Sequence, residues 1–209
     1  MIVELGQFCL ALALALAIAQ STIPLIGAHR HRDDWMAVAE PAAMAQFAAV
    51  LASFAILMHA YIVSDFSVNN VWQNSHSAKP LIYKISGTWG NHEGSMLLWV
   101  LILALFGAMV ALFGKGLPAP LRARTLAVQG MIGVGFIAFT LFTSNPFLRI
   151  EAPLDGRGLN PLLQDPGLAL HPPLLYIGYV GFSLVFSFAA AALIGGQVDA
   201  AWGRWVRPW

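Results

Sequence analysis

The chain has 209 residues, of which 58% are hydrophobic and only 10% charged, with a formal net charge of +1 and a mean hydropathy of +0.71. Soluble domains carry about 25% charged residues, so this composition belongs to an integral membrane protein in a lipid bilayer. The near-neutral balance and the lack of a basic stripe give no support to a nucleic-acid partner, and the single cysteine, Cys9, rules out an intrachain disulfide or a CxxC pair.

In chain order, five apolar stretches are long enough to cross about 30 Å of hydrocarbon as helices: Leu5–Gly27, Ala37–Val63, Ser95–Phe113, Thr125–Thr143 and Pro172–Ile194. The fold class expected is therefore all-α, a polytopic bundle of about five transmembrane helices. The first stretch imitates a signal peptide at Ala17-Ile18-Ala19, but its leader carries Glu4 and no Lys or Arg. It reads as a retained span.

Five spans place loops on alternating sides. The short loops and the tail, 29–36, 114–124 and 195–209, hold Arg30, Arg32, Lys115, Arg122, Arg124, Arg204 and Arg207. The long loops, 64–94 and 144–171, hold only Lys79, Lys84, Arg149 and Arg157. Basic residues favour the cytoplasmic side, which puts the N-terminus and both long loops outside, in the periplasm of a Gram-negative inner membrane. The second long loop is rich in X-Pro steps such as Asn145-Pro146 and Asn160-Pro161, the mark of ordered turns. His59 is the main ionisable side chain within a span. It lies near the outer end and has no partner for a proton relay at membrane depth.

Two stretches concentrate the chemistry. In Asp165-Pro166-Gly167-Leu168-Ala169-Leu170-His171-Pro172-Pro173 one histidine stands ahead of a proline pair. Proline suits the first turn of a helix, so His171 is expected at the helix entrance on the outer boundary. It either anchors there or offers a nitrogen to haem iron or another metal. In Trp89-Gly90-Asn91-His92-Glu93-Gly94-Ser95, Asn91 suits an N-cap and Glu93 the positive first turn. Gly90 and Gly94 permit close backbone approach, and Trp89 is either an interface anchor or one side of a flat aromatic site. No zinc-type Cys/His cluster, phosphate loop or helical histidine pair occurs, so hydrolase and nucleotide-binding readings have no support.

The runs Asp65-Phe66-Ser67-Val68, His76 to Trp99 and Asn160 to Pro173 closely resemble the CcmF/NrfE family of cytochrome c haem lyases. They occur in the family's order, and the resemblance extends along essentially the whole chain. It implies a part in cytochrome c maturation by the Ccm pathway. The family takes haem from the haem chaperone CcmE and delivers it to the CxxCH cysteines of an apocytochrome c presented with CcmH and CcmI. The resemblance makes His171 an axial ligand of the incoming haem iron. For Trp89, Gly90, Asn91, His92, Glu93 and Gly94 it carries membership only, and their role stays open.

The family's WWD motif, its second outer histidine and its two haem b histidines have no counterpart in this chain. Residues 1–209 are thus expected to be the N-terminal membrane portion of a haem lyase or one half of a split form. Haem lyase activity belongs to the complete protein or complex, with a structural haem b only where the downstream part is present. Two other readings stay open: a non-catalytic scaffold that docks CcmH and CcmI, and a small-solute transporter, against which the lack of paired charges in the spans argues.

Overall fold

The computed structural model describes residues 1–209. Nine helices follow one another: α1 (Ile2–His29), α2 (Asp33–Met36), α3 (Ala39–Ile62), α4 (Asn69–Asn74), α5 (Leu81–Gly87), α6 (His92–Phe113), α7 (Ala119–Phe142), α8 (Pro166–Gly195) and α9 (Ala200–Val206). Five of them, α1, α3, α6, α7 and α8, are long and apolar enough to cross a membrane, and the chain is a multi-pass membrane protein. α1 lies between α3 and α7, α3 packs on α6, and α8 lies against α6 and α7.

The helices run past the apolar stretches that announce them. Hydropathy marks what suits hydrocarbon, whereas caps and polar contacts carry a helix further. α7 begins at Ala119 behind Pro118, so Arg122 and Arg124 lie on the helix. Arg122 there pairs with Glu40 of α3. α8 begins at Pro166, with the Asp165 side chain accepting from the Leu168 N–H as its cap. Six residues of helix therefore precede Pro172, and His171 stands in the second turn, not at the entrance. Pro166 is the proline that fills the first helical position.

Small and amide side chains hold the interior together, as expected where lipid gives helices no hydrophobic drive to associate. Gln20 of α1 donates to the Leu126 carbonyl of α7 at 2.8 Å. Gln129 of α7 donates to the Leu103 carbonyl of α6 at 3.2 Å and to the Ser183 hydroxyl of α8 at 3.1 Å. It also accepts from the Ser187 hydroxyl at 2.8 Å. Each bond joins two helices and leaves a polar group satisfied in a low-dielectric interior.

At one end of the bundle the two long loops bind each other. Asn69 donates to the Leu148 carbonyl and Ile150 to the Ser67 carbonyl, both at 2.9 Å, and Arg157 donates to the Trp72 carbonyl at 2.8 Å. The Arg157 guanidinium lies 4.1 Å from the Trp72 ring centroid. Asp155 accepts from the Ser77 N–H at 2.9 Å and from its hydroxyl at 2.5 Å. These bonds, the Ser77 hydroxyl first, hold the Asp155 carboxyl down at about 2. The opposite end carries the short, basic loops.

A candidate site between two helix entrances

At the long-loop end, the starts of α6 and α8 face each other across a cleft of about 380 Å³. Trp89, His92 and Met96 form one wall, Leu168, Pro172 and Tyr176 the other, and Leu159 and Leu163 of the second long loop border it.

The α6 wall is built on a buried polar network. Asn91 caps α6 by accepting from the Gly94 N–H at 2.8 Å, and its amide donates to the Gly87 carbonyl at 2.8 Å and the Tyr61 hydroxyl at 3.0 Å. Asn70 donates to Asn91 Oδ1 at 2.7 Å and to Glu93 at 3.1 Å, and accepts from the Tyr61 hydroxyl at 2.7 Å. Lys79, only 8% exposed, donates to the Asn74 carbonyl at 2.9 Å and sits over the Tyr61 ring. Burial, with the like charge of Lys84, pushes Lys79 down to about 8. At Gly94 a Cβ would fall 1.6 Å from the Thr88 carbonyl oxygen, so no side chain fits where the chain turns into α6.

The α8 wall begins with a defect. Pro172 and Pro173 lie inside the helix and lack the N–H groups that would bond the carbonyls four residues back, at Leu168 and Ala169. The Trp89 indole N–H fills the second vacancy, donating to the Ala169 carbonyl at 2.9 Å. One turn further along, the Ser95 and Tyr176 hydroxyls are bonded at 2.7 Å. The segment before α6 thus braces α8 where proline has weakened it.

Trp89, Gly90, Asn91 and His92 all border the cleft. Glu93 turns into the network, and Gly94 is a packing contact. His92 Nε2 lies 2.9 Å from the Ser144 hydroxyl, and the Phe139 ring stands edge-on to the imidazole. His92 also lines a shallow apolar groove with Met96, Met131 and Phe139. His171 is exposed beside the cleft but does not border it. At helical spacing its face continues through Leu175, Gly178 and Phe182, all exposed. No group of three or more His, Cys, Asp or Glu side chains is arranged to hold a metal ion.

Sequence reasoning did not find Tyr61, Asn70, Ser95 or Tyr176, whose partners lie far along the chain. One signal was available. Two adjacent prolines inside a helix leave carbonyls that need an outside donor, and an indole N–H is a strong candidate.

Comparison with known proteins places this arrangement. The family described as "Cytochrome C assembly protein" matches residues 89–207, more than half of the chain, including both cleft walls. A cytochrome c-type biogenesis protein of Rhodobacter capsulatus is 65% identical over the whole chain, which covers 32% of that protein. The cytochrome c-type biogenesis protein CcmF of Escherichia coli is 47% identical over the whole chain, covering 33% of it. The solved structure "Cytochrome c Heme Lyase CcmF" superposes on all of this chain and 33% of its own length, with a TM-score of 0.87 at 27% identity. The chain spans about a third of the length of these relatives. By its motifs, its helical fold and the match across both cleft walls, the chain belongs to the cytochrome c assembly protein family.

Proposed function

We propose that this chain supplies the N-terminal, haem-receiving portion of a cytochrome c haem lyase, with His171 as one axial ligand of the haem iron. One observation carries the assignment of the residue: His171 is exposed on the first turns of α8, and its imidazole is bonded to no other side chain or carbonyl of the chain. Unbonded imidazole nitrogens are what an iron ligand needs. The apolar face beyond it, with Leu174 68% and Leu175 48% exposed, suits a porphyrin's face and edges. The residues present fit haem as a substrate.

Haem supplies the reactive vinyl groups. Attachment adds each cysteine S–H across a vinyl C=C, forming C–S and C–H bonds with no net change in oxidation state. The chain's contribution is orientation. His171 would hold the iron at the exposed face of α8, while Trp89 and Tyr176 fix the helix that carries it. The names of the relatives, with the basic loops at the opposite end, support the bacterial inner membrane with the long loops periplasmic. The family resemblance of the motifs makes CcmE the proposed haem donor and apocytochrome c, with CcmH and CcmI, the proposed receiving side.

The test is His171→Ala in the full-length protein. Holocytochrome c is expected to fall to background while the protein still accumulates in the membrane. Normal holocytochrome yield would remove His171 from the site. A scaffold role for the loop cap is favoured by its fully exposed Leu154 and by Leu162, 76% exposed. It predicts that charged substitutions there, not at His171, release CcmH and CcmI.

A further inference from the structure

We propose that the basic end of the bundle holds a binding site for an anionic phospholipid, in the gap between α1 and α8 over α7. Both helices pack on α7, and a cavity of about 570 Å³ opens beside their ends. Its lining has two chemistries. Leu25, Ile26 and Ile194 give an apolar part, and His29, Arg30 and Arg124 a basic one.

The charge is not consumed within the protein. Arg32 pairs with Asp34, Arg122 with Glu40, and Arg149 with Glu4 and Asp65. Arg30 and Arg124 have no carboxylate partner, and they meet at this cavity. Arg124 Nη2 donates to the Ala28 carbonyl at 3.2 Å, which satisfies one orphan acceptor at the end of α1. Its Nη1 lies against Gly195, where a Cβ would approach to 2.7 Å. The negative end of the α1 dipole accounts for a cation at position 29 or 30. It does not account for a third basic side chain brought in from α7, nor for the apolar part below.

A phospholipid with net negative charge matches both parts. Its phosphate accepts from the two guanidinium groups, and its acyl chains lie along Leu25, Ile26 and Ile194. Basic pockets between membrane helices bind acidic headgroups by this division of labour. A free phosphate would use only the rim, and a zwitterionic lipid would bring its own cation against Arg30.

The test uses the full-length protein, stripped of lipid in detergent and titrated with phosphatidylglycerol or with phosphatidylcholine of the same acyl chains, with bound lipid counted by native mass spectrometry. Phosphatidylglycerol is expected to be retained at about tenfold lower concentration. Arg30→Gln should weaken its retention about fivefold, and Arg30→Gln with Arg124→Gln about thirtyfold. Lys115→Gln, on the same end but outside the cavity, should change nothing. Because Arg124→Gln also removes the bond to Ala28, the Arg30→Gln variant decides the matter if the double variant misfolds. Equal retention of the two lipids, unchanged retention in Arg30→Gln, or displacement by millimolar inorganic phosphate would each overturn the site.

Discussion

α6 and α8 both start at the long-loop end behind a side-chain cap, Asn91 in one and Asp165 in the other, yet they are secured differently. The start of α6 is tied on every side, through Tyr61, Asn70, Gly87 and Glu93, to α3, α4 and α5. The start of α8 has an exposed cap, two prolines in its interior and an exposed histidine between them and the cap. Its missing hydrogen bond is supplied from the α6 side by Trp89. A helix entrance bonded to three other helices acts as a fixed wall. One that borrows a donor from 80 residues away takes its position from that wall, while its free face stays open for a ligand.

The largest effect that could break this contrast is at the two histidines. His171→Ala is expected to remove holocytochrome formation, whereas His92→Ala, which loses one hydrogen bond to Ser144, should lower it less than about tenfold. Holocytochrome yield with equal membrane abundance is the measurement, and a reversed order would make the α6 side the ligand side. Next comes the wall itself. Gly94→Ala places a methyl group where the Thr88 carbonyl already sits and should cost about 3 kcal/mol, read as a lowered midpoint in thermal unfolding of the detergent-solubilised protein. Gly90→Ala, whose Cβ would come no closer than 3.1 Å to the Leu159 methyl and 3.3 Å to the Ser86 carbonyl oxygen, should shift it far less.

The brace between the walls is expected to be weaker. Trp89→Phe keeps a ring against Phe54 but leaves the Ala169 carbonyl without its donor, at about 1–2 kcal/mol. Pro173→Ala restores a backbone N–H for that carbonyl, so the double variant should recover part of the loss in the same unfolding assay. Additive losses would mean that the indole matters only as bulk. The smallest effect lies in the loop cap. Asp155 titrates at about 2 in the fold against an ordinary 3.8, so its unfolded form takes up a proton first. The stability it lends is complete above about pH 4 and is lost as the pH falls toward 2. Relative to the intrinsic rate at each pH, hydrogen exchange at the Ser77 amide should speed up over that window, and Asp155→Asn should abolish that change in protection.

Most of the fold was legible because membrane insertion is governed by sums over about 20 neighbouring residues. Five apolar stretches and an uneven spread of Lys and Arg are local properties, and so is the cap at Asn91, whose acceptor and donor are three residues apart. The start of α8 was misplaced by six residues because the proline pair looked like a helix entrance. Pro166 behind Asp165 carries the same signal and comes earlier. The role of Glu93 was half legible: it stands in the first turn of α6 as its charge suggests, but what it bonds is Asn70, 23 residues away.

By itself, then, the sequence determined the membrane class, the number of long helices, the motif pair and the family they belong to, all of which depend on residue type and order along the chain. Only the tertiary structure decided that Trp89 completes α8 at Ala169, that His92 and His171 face different surfaces, and that Gln20 and Gln129 join helices inside the bundle. It also brought Arg30 and Arg124 to one cavity. For the bonded groups among these the physical reason is the same. A polar group without a local partner takes the nearest suitable one in space, and which one that is depends on how the helices pack rather than on any pattern near it in the chain.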